Sequence, residues 1–222
     1  MILNKSKIIE KLKKGSIDFE PGLDAYQIQT NSVDLRLGTT FYIPETWKIT
    51  PGGREAIRAD YIDVKENPEY FKMIKLRPGQ FFEILPNEFI IISTYEKIKL
   101  SNDLAAILYP RSSVLRRGIV IEGGTVNAGY EGYLTIPMLN SSSHSIKLYP
   151  GERVCHLVFH ELSGALGNEE LGGVASKYQS STPFGLDAKL DQQEEIDFIK
   201  SGRLEELKTT HRLQKEEAKP QP

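Results

Sequence analysis

Apolar and polar residues alternate along much of this chain, and that period of two predicts strands. Val33, Leu35 and Leu37 are separated by Asp34 and Arg36, and Gly38 closes the run. Further runs of strand character lie at 80–85, 89–95, 105–109, 119–122, 133–139, 145–148 and 154–162, divided by Gly, Pro, Asn and Ser. Two turns echo each other, Leu76-Arg77-Pro78-Gly79-Gln80 and Leu148-Tyr149-Pro150-Gly151-Glu152, each with Pro then Gly as a type II turn prefers. Helical spacing is confined to the ends. Ile8, Ile9 and Leu12 predict one short amphipathic helix before Gly15, and Ile196, Ile199, Leu204 and Leu207 predict another across 191–208. The pattern predicts a mainly β fold, an antiparallel barrel, sandwich or jelly roll, over residues 1–185. Residues 186–222 read as a helical and partly disordered C-terminal extension, ending in a charged, Pro-containing tail.

Composition narrows the classes. Apolar residues make up 39% and charged ones 26% of 222 residues, enough for a packed core. The formal net charge of −2 argues against a polyanion-binding surface, so nucleic acid is not expected as a partner. A phosphate site must therefore come from a local cluster of basic side chains. The single cysteine, Cys155, excludes an intrachain disulfide and zinc sites built on cysteine pairs. Without an apolar run of roughly 18 residues, no membrane span is expected, and the chain reads as cytoplasmic.

Such a local cluster exists. In Pro110-Arg111-Ser112-Ser113-Val114-Leu115-Arg116-Arg117-Gly118 a strand gives way to an arginine, two hydroxyls and two further arginines. Arginine forks, serine hydroxyls and turn N–H groups are donors matched to phosphate oxygens, although a solvated basic turn has the same composition. The next segment, Gly123-Gly124-Thr125-Val126-Asn127-Ala128-Gly129-Tyr130-Glu131-Gly132, has four glycines in its ten residues, which permits close backbone approach. Asn127 can offer a donor and an acceptor to a base or sugar, and Tyr130 a flat face; a tight hairpin with a bulge is the plainer reading. His156 and His160, four apart on a strand, would stand roughly 13 Å apart, too far to share a metal. Lys177-Tyr178-Gln179 opens a polar segment with the means to close over a bound ligand.

In combination and in order, these motifs resemble the superfamily of dCTP deaminases and dUTPases across residues 1–183. The deaminase branch is suggested by Met1-Ile2-Leu3 and by Gln29-Thr30-Asn31-Ser32-Val33-Asp34-Leu35-Arg36-Leu37-Gly38. The resemblance implies a distorted jelly roll of the dUTPase type, a homotrimer with sites between subunits, and Mg²⁺ carried on the triphosphate of dUTP or dCTP. It implies that Arg111, Ser112, Ser113 and Arg116 contact phosphates or base, that Tyr130 packs on deoxyribose, and that Lys177, Tyr178 and Gln179 belong to a closing lid. Two positions depart from it. Pro137 stands where the deaminases carry a catalytic glutamate, and Asn127 where both branches carry an aspartate. Neither side chain can take up a proton as a base. Glu122 is the nearest spare carboxylate and the candidate substitute base, beside Ser112, Arg116 and Asn127 as the other candidate catalytic residues. Three activities are ranked: dUTPase-like hydrolysis of dUTP to dUMP and pyrophosphate, then deamination of dCTP to dUTP and ammonia, then nucleotide binding without catalysis.

Overall fold

A computed structural model describes residues 1–57, 71–77, 79–167, 180–184, 186 and 192–211. One compact unit comprises residues 1–57 and 69–187, and a second comprises 58–68 and 188–222.

In the first unit a short helix, α1 (Lys5–Lys13), begins at Asn4, whose side chain accepts a hydrogen bond from the Lys7 N–H. Ile8 is its fully buried residue, so α1 seats on the core through its apolar stripe. The strands follow as β1 (Ile17–Glu20), β2 (Val33–Pro44), β3 (Trp47–Thr50), β4 (Gly53–Ala56), β5 (Phe71–Lys75), β6 (Phe82–Ile84), β7 (Phe89–Leu100) and β8 (Leu104–Pro110). After the single helical turn α2 (Ser112–Leu115) come β9 (Ile119–Ile121), β10 (Thr125–Val126), β11 (Glu131–Asn140), β12 (Ile146–Leu148) and β13 (Arg153–Glu161).

The mainly β expectation holds. The principal sheet runs β10-β8-β13-β2-β7-β11-β9, with β1 added to β7 and β5 to β2, and every pairing is antiparallel. Its long strands bend. Register shifts fall between Leu37 and Phe41 on β2, between Tyr133 and Thr135 on β11, and between Arg153 and Cys155 on β13. β2 therefore pairs with β13 through Val33–Leu35 and Arg36, then with β5 and β7 farther along, and the sheet curls around one core. That core holds Leu35, Leu37, Phe41, Ile90, Ile92, Leu157 and Phe159, all at most 1% exposed. Each such side chain contributes about 1.5–3 kcal/mol through burial. Phe41 stacks on Phe82 at 4.7 Å, tying the small β6–β12 ribbon to the main sheet.

The two echoing turns are physical neighbours. Phe82 pairs with Leu148, so the turn entering β6 and the turn leaving β12 lie at the same end of one ribbon. Each closes with the i+3 N–H on the i carbonyl (Gln80 to Arg77, 3.1 Å; Glu152 to Tyr149, 3.0 Å) and has glycine at positive φ in the third place.

Two expectations change. The strand from Val33 does not end at Gly38 but continues to Pro44, because β5 and β7 supply partners for its second half. The C-terminal helix is two helices, α3 (Gln193–Lys200) and α4 (Leu204–Thr210), separated at Gly202. Among the described residues no helix is long and apolar enough to cross a membrane.

Candidate functional site

β8 delivers the chain to the basic segment. Its last residue, Pro110, pairs with Cys155, and the Arg111 N–H donates to the Val154 carbonyl at 3.1 Å. α2 then makes a single turn, closed by the Arg116 N–H on the Ser112 carbonyl at 3.0 Å. Val114 is 2% exposed and pins this turn to the core, which leaves Ser112, Ser113 and Arg116 facing outward. Their side chains make no hydrogen bond or ion pair among the described residues. The two closing arginines have different duties. Arg116 is uncommitted, whereas Arg117 pairs with Glu152 at 2.8 Å and donates to the Lys147 carbonyl.

Arg111 is half inside. Its Nε lies 3.2 Å from Asp34 Oδ2 and its Nη1 donates to the Arg153 carbonyl at 3.0 Å. The alternating pattern of β2 places Asp34 on a solvent face, yet Asp34 is 3% exposed, because β13 and the two arginines cover that face. His156 pairs with Asp34 on one side and Tyr109 on the other, and stacks on Tyr109 at 5.9 Å. Burial holds its imidazole below the usual range, with the Asp34 charge opposing. Both histidines of the 154–162 run lie along β13, and no group of three His, Cys, Asp or Glu suited to a metal occurs among the described residues.

The Gly-rich segment lies against the same strand. The Leu108 N–H donates to the Gly124 carbonyl at 2.9 Å, and β10 pairs with β8 from Thr125 to Ile107. A Cβ on Gly123 would stand 2.2 Å from the Leu108 carbonyl oxygen, so the approach at this point requires glycine. Asn127 is exposed and begins a turn closed by the Tyr130 N–H on its carbonyl at 3.2 Å. Tyr130 ends this turn and faces inward. Its ring is 4% exposed within the core, and its hydroxyl donates to the Tyr133 carbonyl at 2.8 Å and meets Ser181 Oγ at 2.9 Å. Burial raises its phenol above the ordinary value. A sugar would meet this ring only after the Ser181 segment withdrew. Lys177, Tyr178 and Gln179, the expected lid residues, lie outside the described residues.

The β9–β11 ladder runs from Asn140 and Ile119 to Met138 and Ile121, so Pro137 and Glu122 are the next residues beyond its paired end. Val120 and Glu122 are both exposed, and Pro137 is half-buried. Pro137 lies one residue past the paired stretch with β9, a place where a missing N–H is tolerated.

Most carboxylates around this site are already engaged. Asp34 is held by Arg111 and Arg153, Glu152 by Arg117, and Glu131 by Lys97 and Lys99. Glu96 is buried, accepts from Gln27 and the Arg36 N–H, and is raised by that burial. Glu122 is exposed and has no such partner among the described residues. The arrangement thus offers outward hydroxyl and guanidinium donors at Ser112, Ser113 and Arg116, a half-buried Arg111, and one uncommitted carboxylate, Glu122, directly after β9. Asp34, Arg153 and the Gln27–Glu96 pair are the site's supporting residues that the sequence pattern did not single out. The only signal was an acidic residue between Val33 and Leu35, where strand alternation places it on the solvent side.

Comparison with known proteins gives one consistent picture. The family model described as dCTP deaminase-like matches residues 2–162. A Persephonella marina protein named "dCTP deaminase, dUMP-forming" is 40% identical over 183 residues, covering 81% of this chain and 92% of that protein. One of the same name from Methanosphaera stadtmanae is 33% identical over 211 residues, covering 91% and 99%. Among solved structures, the 2'-deoxycytidine 5'-triphosphate deaminase of Agrobacterium tumefaciens superposes with a TM-score of 0.56 at 22% identity. That match covers 78% of this chain and 52% of the other, and bears on the fold alone. The names of the relatives favour the dCTP activity over the dUTP hydrolysis that the motifs ranked first.

Proposed function

Because the chain belongs to the dCTP deaminase-like family, we propose that it binds dCTP through the 111–116 turn and deaminates the cytosine ring, continuing to dUMP. The observation that supports the chemistry is that Glu122, exposed and uncommitted among the described residues, directly follows β9, whose ladder with β11 stops at Met138, next to Pro137. In the first step water adds to C4 of the ring. Glu122 takes its proton and passes it to the ring, the C4–N bond breaks, and ammonia leaves with the second water proton. Ser112 and Arg116 hold the attacking water, Arg111 and Ser113 hold phosphate oxygens, and Asn127 hydrogen-bonds base or sugar. A second water then attacks the α-phosphorus and releases pyrophosphate, so dCTP and two waters give dUMP, ammonia and pyrophosphate.

Mg²⁺ belongs to this proposal as an ion carried by the nucleotide. The donors of the 111–116 turn are guanidiniums and hydroxyls, which suit phosphate oxygens rather than a cation, so the ion's ligands there would come from the triphosphate itself. Bound there, the ion would neutralise charge on the triphosphate. The lid role of Lys177, Tyr178 and Gln179 and the sugar contact of Tyr130 are part of the same proposal. So is a homotrimer, which the exposed apolar row Phe89, Leu139 and Val120 supports, since these three stand side by side on β7, β11 and β9.

A second reading is binding without turnover, favoured by Pro137 and Asn127, neither of which can accept a proton. One assay separates the possibilities. The protein is incubated with Mg²⁺ and either dCTP or dUTP, and ammonia and pyrophosphate are followed separately. Ammonia and pyrophosphate from dCTP support the proposal. Pyrophosphate from dUTP with no ammonia from dCTP points to a hydrolase, and nucleotide binding with neither product points to the second reading.

A further inference from the structure

The motif from Gln29 to Gly38 has a physical task that the proposed chemistry does not yet use. We infer that Asp34 is a positioning residue that presents Arg111 to the triphosphate, an inference resting on the nucleotide site proposed above. Asp34 Oδ2 lies 3.2 Å from Arg111 Nε and 3.1 Å from Arg153 Nη1, and its side chain is 4% exposed against 27% for each arginine. One carboxylate therefore faces two guanidiniums. A purely structural pair would balance its charge; this one leaves a net positive charge beside the outward Ser112–Leu115 turn.

The geometry also decides which edge of Arg111 is left. A guanidinium has five N–H donors. Nε faces Asp34 and one Nη1 hydrogen goes to the Arg153 carbonyl, so the remaining Nη1 hydrogen and both on Nη2 are available to an anion. Holding a long side chain in one orientation before binding removes part of the entropy cost of ordering it.

Asp34 is in turn fixed from behind. Its N–H donates to the Gln27 carbonyl at 2.8 Å, and Gln27 Nε2 donates to the Asp34 carbonyl at 3.0 Å and to Glu96 Oε1 at 2.7 Å. Arg153 Nη1 is anchored as well by the Tyr26 carbonyl at 2.5 Å. Gln27, Asp34 and Glu96 are all at most 3% exposed, so the carboxylate has little room to follow Arg111 if that side chain swings out.

A double-mutant cycle tests this with dCTP as the probe, titrated calorimetrically into the full chain at fixed ionic strength. The variants are Asp34→Asn, Arg111→Met and the two combined, each checked for a native thermal transition. Asp34→Asn is expected to weaken dCTP about ten-fold in the wild-type background and to change nothing further once Arg111 is gone. Simple removal of a negative charge would strengthen anion binding, so an unchanged or tighter Asp34→Asn variant overturns the inference. So does an additive loss in the double variant, which is the mark of a general structural role. If Asp34→Asn does not fold, Asp34→Glu, which keeps the charge but shifts the carboxylate, takes its place in the same cycle. Weaker dCTP binding is then expected, and an unchanged affinity or an additive cycle overturns the inference. Wild-type protein that fails to bind dCTP overturns both the nucleotide site and this inference, whereas wild-type binding with an additive cycle overturns the inference alone.

Discussion

Glu122 and Pro137 each lie one residue beyond the paired stretch of β9 and β11, and the proposed proton transfer depends on the first compensating for the second. Glu122→Gln keeps shape and hydrogen bonding but removes the base. Ammonia release from dCTP is expected to fall about 10²–10⁴-fold, with dCTP affinity essentially unchanged; full activity in this variant would remove Glu122 from the mechanism. The basic turn was legible from residue types alone, and the departures at Asn127 and Pro137 only through the family resemblance. Asp34 was not legible as a buried group, because period-two alternation assigns alternate residues to solvent unless something covers them, and Arg153 on β13 and Arg111 after β8 do so here. The burial of Tyr130 was hidden for a related reason. An aromatic next to glycines reads as a ligand platform, but its hydroxyl finds internal partners at Tyr133 and Ser181 and the ring turns inward.

Strands announced themselves by alternation, as at 105–109, or by an apolar run covered on both faces, as at 89–95, and the structure lengthened several rather than moving them. β3 and β4 were silent because their residues are exposed on both faces, apart from a half-covered Thr50, so no alternation was imposed. β10 has only two residues, too few to carry a period. Its neighbours supply a sharper test of the site's scaffold. Gly123→Ala forces a Cβ against the Leu108 carbonyl and is expected to cost about 1–3 kcal/mol. Gly124→Ala meets nothing within 4 Å and should stay within about 0.5 kcal/mol of wild type. Urea midpoints at constant m-value measure both, and equal midpoints for the two variants would contradict the packing of β10 on β8.

For the whole molecule, the mainly β class and the two end helices followed from periodicity, while the curl of the sheet came from register shifts that no sequence period reveals. The apolar row Phe89, Leu139 and Val120 is 37–43% exposed in the single chain. If it packs between subunits, sedimentation equilibrium will give three times the 25.1 kDa chain mass, and Leu139→Lys will lower it to that of one chain; a monomeric wild type would contradict the trimer. The claim on which the rest stands is that the 111–116 turn holds the triphosphate. It is tested most directly by titrating dCTP into the wild-type chain and into Arg111→Gln. Loss of one charge-assisted contact predicts an affinity about ten- to hundred-fold weaker in the variant, and equal affinities in the two proteins would contradict the account.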